Sequence, residues 1–276
     1  MKHFRPRLSR RAFWVLCALL VCLRLALTGF QQAYIWVGGA PLDDELMFRA
    51  ANHITAGQWL GAYDYLTLSK AMFFPVWLAL LHALHLPYLI SGAALWCGAA
   101  LLAAFAFSTL WRKKDPAQGR VLTLGLFAAL AFLPSSWAAY TLRVYRDNIF
   151  PTLCLYFFAG MAGMALRAVF TPEKPLWPWL VAAGAGLACG YLDREDAGLF
   201  LLPFAAAATV IVAVVLAGKR RWKALAAQVI PYVMLGVGVL TFCTLNYTHY
   251  GVFALSDFSE GSFAAAMGAM MRVDTD

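Results

Sequence analysis

The chain has 276 residues, of which 62% are hydrophobic and only 13% are charged, and its formal net charge is +8. A soluble domain would have about 25% charged residues, so the composition excludes a soluble domain and predicts a polytopic membrane protein. The basic residues lie in short clusters between apolar segments, where they orient spans in a bilayer, so the positive charge does not indicate a nucleic-acid partner.

The N-terminal segment predicts an uncleaved first membrane span. Residues 1–11 carry five Lys and Arg side chains, and 12–30 is an apolar run that is long enough to cross a hydrocarbon core of about 30 Å. The run is longer than the apolar part of a signal peptide, and it contains Arg24. We therefore expect a cytoplasmic N-terminus, and because a charge at the centre of a span is costly, we expect Arg24 to face the interior of the bundle.

The first external loop, residues 31–70, is organised around an acidic stretch. Asp43, Asp44 and Glu45 precede apolar residues that recur at helical spacing from Leu46 to Ile54, which predicts a short amphipathic helix on the membrane surface. Helix capping and the helix dipole account for one or two carboxylates but do not require three, so at least one is expected to take part in function. Asp43, at the expected cap position, is predicted to be the more structural of the two aspartates, with Asp44 pointing into a cavity.

The remaining spans follow from length and charge. The apolar segment 73–86 is short and precedes Pro87, so it is predicted to be juxtamembrane or re-entrant. A full span there would place the basic residues 112–114 outside, against the positive-inside rule. The predicted spans are 12–30, 88–111, 121–141, 149–169, 176–191, 197–217 and 224–245. The predicted fold class is therefore all-α, a polytopic transmembrane helix bundle of about seven spans with an amphipathic juxtamembrane helix in the first external loop.

The acidic residues concentrate on one face of this topology. Twelve of the fourteen Asp and Glu residues fall outside, whereas fifteen of the twenty-two Lys and Arg residues fall inside. Acids are not strongly sorted during insertion, so this concentration indicates an external site. Two further external loops carry charged residues. The second loop contains Arg146 and Asp147, and the third contains Arg194, Glu195 and Asp196. The alternatives are interfacial anchoring for the second loop and an internally neutralised ion-pair cluster for the third.

The acidic stretch and the apolar segment that follows it resemble part of a known protein family. The stretch 43–51, followed by Gly57, Tyr63 and the segment 70–82, resembles the first external loop of the GT-C superfamily. Its members are membrane glycosyltransferases that use polyprenyl-phosphate-linked sugars, and they include protein mannosyltransferase-like and aminoarabinose transferase-like enzymes. The resemblance implies that residues 1–276 form a single transmembrane module lacking the family's C-terminal part. It also implies that one of Asp43 and Asp44 is the catalytic carboxylate and that Asp147 is the second-loop acid, while 194–196 has no counterpart.

The chemistry of sugar transfer asks for such residues independently of the resemblance. A carboxylate must accept the acceptor's proton, and cations or a metal must stabilise the departing phosphate. Asp43 or Asp44 can be the base. The substrate-binding candidates are Glu45, Lys70, Arg146, Arg194, Glu195 and Asp196. Of these, Lys70, Arg146 and Arg194 are the predicted phosphate ligands. No CxxC or Cys/His ligand set is present, so no zinc site is predicted, and the sequence leaves open whether a divalent cation takes part.

The sequence therefore favours a glycosyltransferase on the external face of a bacterial plasma membrane, with a polyprenyl-phosphate-linked sugar donor and membrane lipid as its partners. The alternatives are a transporter or flippase of a lipid-linked substrate, and a non-catalytic partner in cell-envelope polysaccharide assembly. A transporter should place ionisable residues near mid-bilayer in two related halves. Arg24 is the one clear mid-span charge in this sequence, which favours the enzyme. No pattern in the sequence specifies the sugar, the acceptor or the oligomeric state.

Overall fold

The structure is a computed structural model that describes residues 7–36, 38–39, 41–111, 115–257 and 262–272. The described part of the chain is all-α, and its only extended pairing is an isolated bridge between Tyr34 and Arg143. The α-helices are α1 Arg10–Thr28, α2 Pro41–Thr55, α3 Phe73–Ala83, α4 Tyr88–Ser108, α5 Pro116–Ala131, α6 Phe150–Phe170, α7 Trp177–Asp193, α8 Gly198–Gly218, α9 Trp222–Ala227, α10 Ile230–Tyr250 and α11 Ser262–Met270.

Among the residues that the structure describes, five helical segments are long and apolar enough to cross a bilayer, so the protein is a multi-pass membrane protein. They are Arg10–Thr28, Tyr88–Ser108, Arg146–Phe170, Gly198–Gly218 and Trp222–Tyr250. These segments coincide with five of the seven predicted spans, and the predicted all-α polytopic bundle is confirmed. The basic residues 112–114, on which the predicted orientation partly depends, lie outside the described residues.

The other two predicted spans coincide with shorter helices, α5 with 16 residues and α7 with 17. The span predicted over 121–141 ends as a helix at Ala131, because Pro134 begins a run of short 3-10 turns there. These turns, which reach Asn148, lead the chain into α6. A hydrophobic segment that looks continuous in the sequence is therefore divided into a helix and a folded loop.

The predicted amphipathic helix is present as α2, and the predicted short apolar segment is present as α3. Leu46 and Met47 of α2 are buried against Phe74 of α3 and Ile149, which immediately precedes α6. At 11 residues, α3 is about 16 Å long, which is too short to cross a bilayer. Helices α2 and α3 therefore pack as a pair on one end of the bundle, next to the second and third loops. This end is called the loop face below.

The centre of the bundle is the contact between α6 and α7. Phe157, Leu180 and Leu187 are fully buried there. Gly160 of α6 and Gly186 of α7 lie where a Cβ atom would overlap the backbone of the opposite helix. Small residues at such a contact let two helices approach closely inside a membrane. The loop-face ends of α6 and α7 are thereby fixed side by side.

Candidate functional site

Asp44 lies in a structural ion pair rather than in an open cavity. Its carboxylate is fully buried and accepts hydrogen bonds from Arg143 Nε at 2.9 Å and from the Trp36 amide at 2.6 Å. Arg143 Nη2 also donates to it. The adjacent backbone is bridged as well, because the Tyr34 amide donates to the Leu142 carbonyl. Asp44 therefore connects the first loop to the second. The sequence analysis expected Asp43 to be the more structural of the two aspartates, but the structure gives this role to Asp44.

Asp43 is the more accessible carboxylate of α2. Its Oδ1 lies 3.4 Å from Lys70 Nζ, and the Tyr145 hydroxyl donates to Oδ2 over 3.3 Å. About a third of each charged side chain is exposed, 35% for Asp43 and 31% for Lys70. Burial raises the pKa of the Tyr145 hydroxyl, which keeps it a donor to Asp43 at neutral pH. A carboxylate, an ammonium group and a phenol thus meet at the surface of the loop face.

Arg146 joins the three loops. Its Nη2 donates to the Tyr145 hydroxyl at 3.0 Å, and its Nη1 contacts both Glu195 Oε2 at 2.9 Å and the Asp193 carbonyl at 3.0 Å. Glu195 in turn accepts a hydrogen bond from the Ala71 amide. Burial alone would raise the pKa of Glu195, but the charge of Arg146 and the Ala71 amide outweigh it and lower that pKa. The predicted convergence of the three loops is therefore present in the structure.

Arg194 forms a second ion-pair cluster beside the first. Its Nη1 lies 3.1 Å from Asp147 Oδ1, and its Nε lies 3.0 Å from Asp196 Oδ1. The hydrogen bond to Asp196 raises the pKa of the Arg194 guanidinium, and it lowers the pKa of the Asp196 carboxyl. Both arginines that the sequence assigns to phosphate binding are thus already paired with carboxylates. Asp147, predicted to be a catalytic acid, is paired with Arg194.

Asp193 is a buried carboxyl group that the sequence analysis did not select as a site residue. It is the last residue of α7, it is fully buried, and neither carboxylate oxygen has a hydrogen-bond partner among the described residues. Burial raises its pKa well above the usual range, although the charges of Arg146 and Arg194 oppose this. The neutral acid is therefore favoured at this position.

Glu45 is the predicted site residue that the structure leaves apart. It is exposed on α2 and forms no hydrogen bond or ion pair with the described residues. Nor does the described part of the chain contain a group of three or more His, Cys, Asp or Glu side chains placed to hold a metal ion. The site that the structure assembles is therefore made of ion pairs and one tyrosine.

Arg143 and Tyr145 were also missed as site residues, although the sequence does contain a signal for them. They are two positions apart in an extended segment, a spacing that places side chains on the same side of the backbone. The Arg143 guanidinium carbon lies 4.3 Å from the centre of the Tyr145 ring. Between them they contact both aspartates of α2, since Arg143 binds Asp44 and Tyr145 binds Asp43.

No family model, curated protein or solved structure matches the chain. The resemblance to the GT-C superfamily therefore rests on short sequence motifs, which are 43–51, Gly57, Tyr63, 70–82 and, in the second loop, Arg146 and Asp147.

Proposed function

We propose that the protein is a glycosyltransferase that moves a sugar from a polyprenyl-phosphate-linked donor to an acceptor hydroxyl, with Asp43 as the general base. The observation that carries the proposal is the half-exposed pair of Asp43 and Lys70 at the edge of a membrane bundle. The GT-C resemblance of the surrounding stretch supports the same assignment. In this proposal the N-terminus is cytoplasmic and the loop face lies outside a bacterial plasma membrane.

The reaction assigns one role to each member of the pair. Asp43 takes the proton of the acceptor hydroxyl while the acceptor oxygen forms a bond to the anomeric carbon of the sugar. The bond between that carbon and the phosphate oxygen breaks, and the polyprenyl phosphate leaves with the electron pair. The ammonium group of Lys70 stabilises the negative charge that grows on the departing phosphate. Asp43 then returns its proton to water.

The remaining charged residues are positioning residues in this proposal. Arg146 orients the Tyr145 hydroxyl toward Asp43 and holds Glu195 against the backbone of residue 71. Arg194 holds Asp147 in place. Lys70 is the better placed of the three predicted phosphate ligands, because Arg146 is buried and Arg194 contacts two carboxylates, whereas Lys70 is partly exposed and has one carboxylate contact, at 3.4 Å. Asp44 is buried in its ion pair and supplies no proton acceptor to the substrate.

The test is a transfer assay with the purified full-length protein, polyprenyl-phosphate sugars and a range of acceptors. The measured quantity is the loss of the lipid donor. The Asp43→Asn variant should lose about 10²–10⁴-fold in rate with only a small loss of stability, because its ion pair with Lys70 is partly exposed. Glu173→Gln removes an exposed carboxylate far along the chain, between α6 and α7, and should stay fully active. Full activity of Asp43→Asn would remove the assignment of the base. Movement of the intact donor across vesicles without its consumption would instead support the transporter alternative.

A further inference from the structure

Arg24 is a buried cation without a counter-charge. It lies in α1 and is only 3% exposed. Its Nη2 donates to the Ser136 carbonyl at 2.8 Å, and its guanidinium carbon lies 3.4 Å from the centre of the Trp137 ring. Its Nε and Nη1 atoms have no hydrogen-bond partner, and no carboxylate is paired with it, among the residues that the structure describes.

Arg24 lines a cavity of about 40 Å³. The cavity lies between α1, α4, the turns after α5 and the first turn of α6, and it is called the Arg24 pocket here. Ser135 and Tyr140 are exposed residues of its lining, and Thr28 and Asn148 lie deeper. The volume exceeds the roughly 10–15 Å³ that one water molecule needs, so the pocket has room for a small polar group.

A second buried polar atom without a partner belongs to Asn148, another residue of the lining. Asn148 donates from Nδ2 to the Thr141 carbonyl at 2.7 Å, but its Oδ1 is buried and has no partner in the described part of the chain. Gly92 leaves the space next to it, because a Cβ at residue 92 would lie 2.6 Å from Asn148 Oδ1. Two residues of the lining, Arg24 and Asn148, thus each carry a buried polar atom without a partner among the described residues.

The energetics require a partner for Arg24. An unpaired charge costs about 2.5–3.5 kcal/mol at the centre of a span and less near its end, where Arg24 lies. The Nε and Nη1 atoms together carry three N–H groups. The planar guanidinium group matches the geometry of the oxygens of a phosphate or a carboxylate. Aromatic residues at this end of the bundle, such as Trp137 and Tyr140, are typical of the depth at which lipid head groups lie.

We propose that the Arg24 pocket binds a phosphate group of a lipid, with the Arg24 Nε and Nη1 atoms as donors. The lipid is either a phospholipid of the bilayer or a polyprenyl phosphate, and the two share the same phosphate chemistry. The pocket has no lining residue in common with the pair of Asp43 and Lys70. The proposal therefore does not depend on the proposed glycosyl transfer.

The test measures thermal stabilisation of delipidated full-length protein in detergent by four probes. They are dihexanoyl phosphatidic acid, geranyl phosphate, inorganic phosphate and dihexanoylglycerol, which lacks the phosphate. At least one phosphate-containing probe should stabilise the wild-type protein at concentrations where dihexanoylglycerol does not. The probe with the lowest apparent Kd identifies the source of the phosphate, whether bilayer lipid, polyprenyl lipid or the free ion. Equal stabilisation by dihexanoylglycerol, or none by any phosphate probe, would overturn the proposal.

Three variants locate the effect in the pocket. Arg24→Met should weaken phosphate binding by at least about 10-fold, as expected when a charged hydrogen bond is lost. Arg11→Met, an exposed position on the same helix, should bind like the wild type. Asn148→Asp places a carboxylate in the pocket, which should abolish phosphate binding because the carboxylate repels the phosphate. This variant replaces Arg24→Met as the test if the Arg24→Met protein does not fold. Unchanged affinity in Asn148→Asp or in a folded Arg24→Met protein would contradict the proposal.

Discussion

Asp44 and Arg143 form a buried ion pair between side chains 99 positions apart in the chain, with Arg143 Nε 2.9 Å from Asp44 Oδ1. This pair separates the roles of two adjacent aspartates. Asp44 holds the first loop against the second, while Asp43, one residue earlier, presents its carboxylate to solvent beside Lys70. Adjacent residues of a helix point about 100° apart, so two neighbouring carboxylates face different surroundings.

The first prediction compares the same substitution at these two aspartates. Asp44→Asn removes one charge of a buried pair, and breaking such a pair costs about 3–5 kcal/mol. Asp43→Asn removes a half-exposed charge, whose ion pair is worth about 1 kcal/mol or less. Chemical unfolding of the purified protein in detergent should therefore show a large loss for Asp44→Asn and a small one for Asp43→Asn. Equal losses would contradict the assigned roles.

The second prediction concerns the buried Asp193. Because the folded state raises its pKa, the folded protein binds this proton more tightly than the unfolded chain does. The residue therefore costs stability once the pH rises above the ordinary aspartate value of 3.8. Asp193→Asn should therefore raise the free energy of unfolding at pH 7. If the carboxylate were instead held by hydrogen bonds, the same substitution would lower the free energy of unfolding by about 1–3 kcal/mol. A less stable Asn variant would show that the carboxylate is ionised and held by its neighbours.

The third prediction concerns pH and Glu195, whose pKa shifts in the opposite direction. A carboxyl with a lowered pKa in the folded state contributes stability above its ordinary value of 4.5, and that contribution is lost as the pH falls through the lower folded value. The difference in unfolding free energy between wild type and Glu195→Gln should therefore be present at pH 7 and shrink below about pH 4.5. A difference independent of pH would mean that the ion pair with Arg146 contributes nothing.

The fourth prediction tests the contact between α6 and α7 with a matched pair of glycines. A Cβ on Gly186 would overlap backbone atoms of Phe157, whereas a Cβ on Gly236 would meet no atom within 4 Å. Gly186→Ala should cost about 1–3 kcal/mol through overpacking. Gly236→Ala should gain up to about 1 kcal/mol, since alanine is the better helix former. Thermal unfolding of both variants in detergent measures the difference, and similar midpoints would contradict the close contact.

Much of the fold followed from the sequence because spans and amphipathic helices have strong periodic and compositional signals. The acidic helix, the short helix after it and five spans were found in this way. The end of α5 was not, because residues 121–141 are mostly apolar and only Pro134 and the two serines after it mark the change from helix to turns. An apolar composition predicts that a segment lies in the membrane, but it does not predict the residue at which the helix ends.

The convergence of the three loops was also predictable, but the partners within it were not. Topology placed Asp43, Arg146 and Glu195 on one face, and the structure joins them through Tyr145 and the backbone of residue 71. Which of Asp43 and Asp44 is buried depends on the rotation of α2 about its axis. The spacing of Leu46 and Met47 predicts the apolar face of α2, but the partners that the aspartates meet beside that face depend on tertiary contacts.

The glycine contact between α6 and α7 also determines which parts of the protein can move. Backbone packed on backbone leaves no flexible side chains to accommodate sliding, so these two helices shift together or not at all. Arg146 and Asp193 at their ends therefore belong to one stationary frame. Helices α2 and α3 are attached to that frame through side chains, which can exchange partners. A displacement of α2 from this frame would therefore have to break both the ion pair of Asp44 with Arg143 and the hydrogen bond of Tyr145 to Asp43.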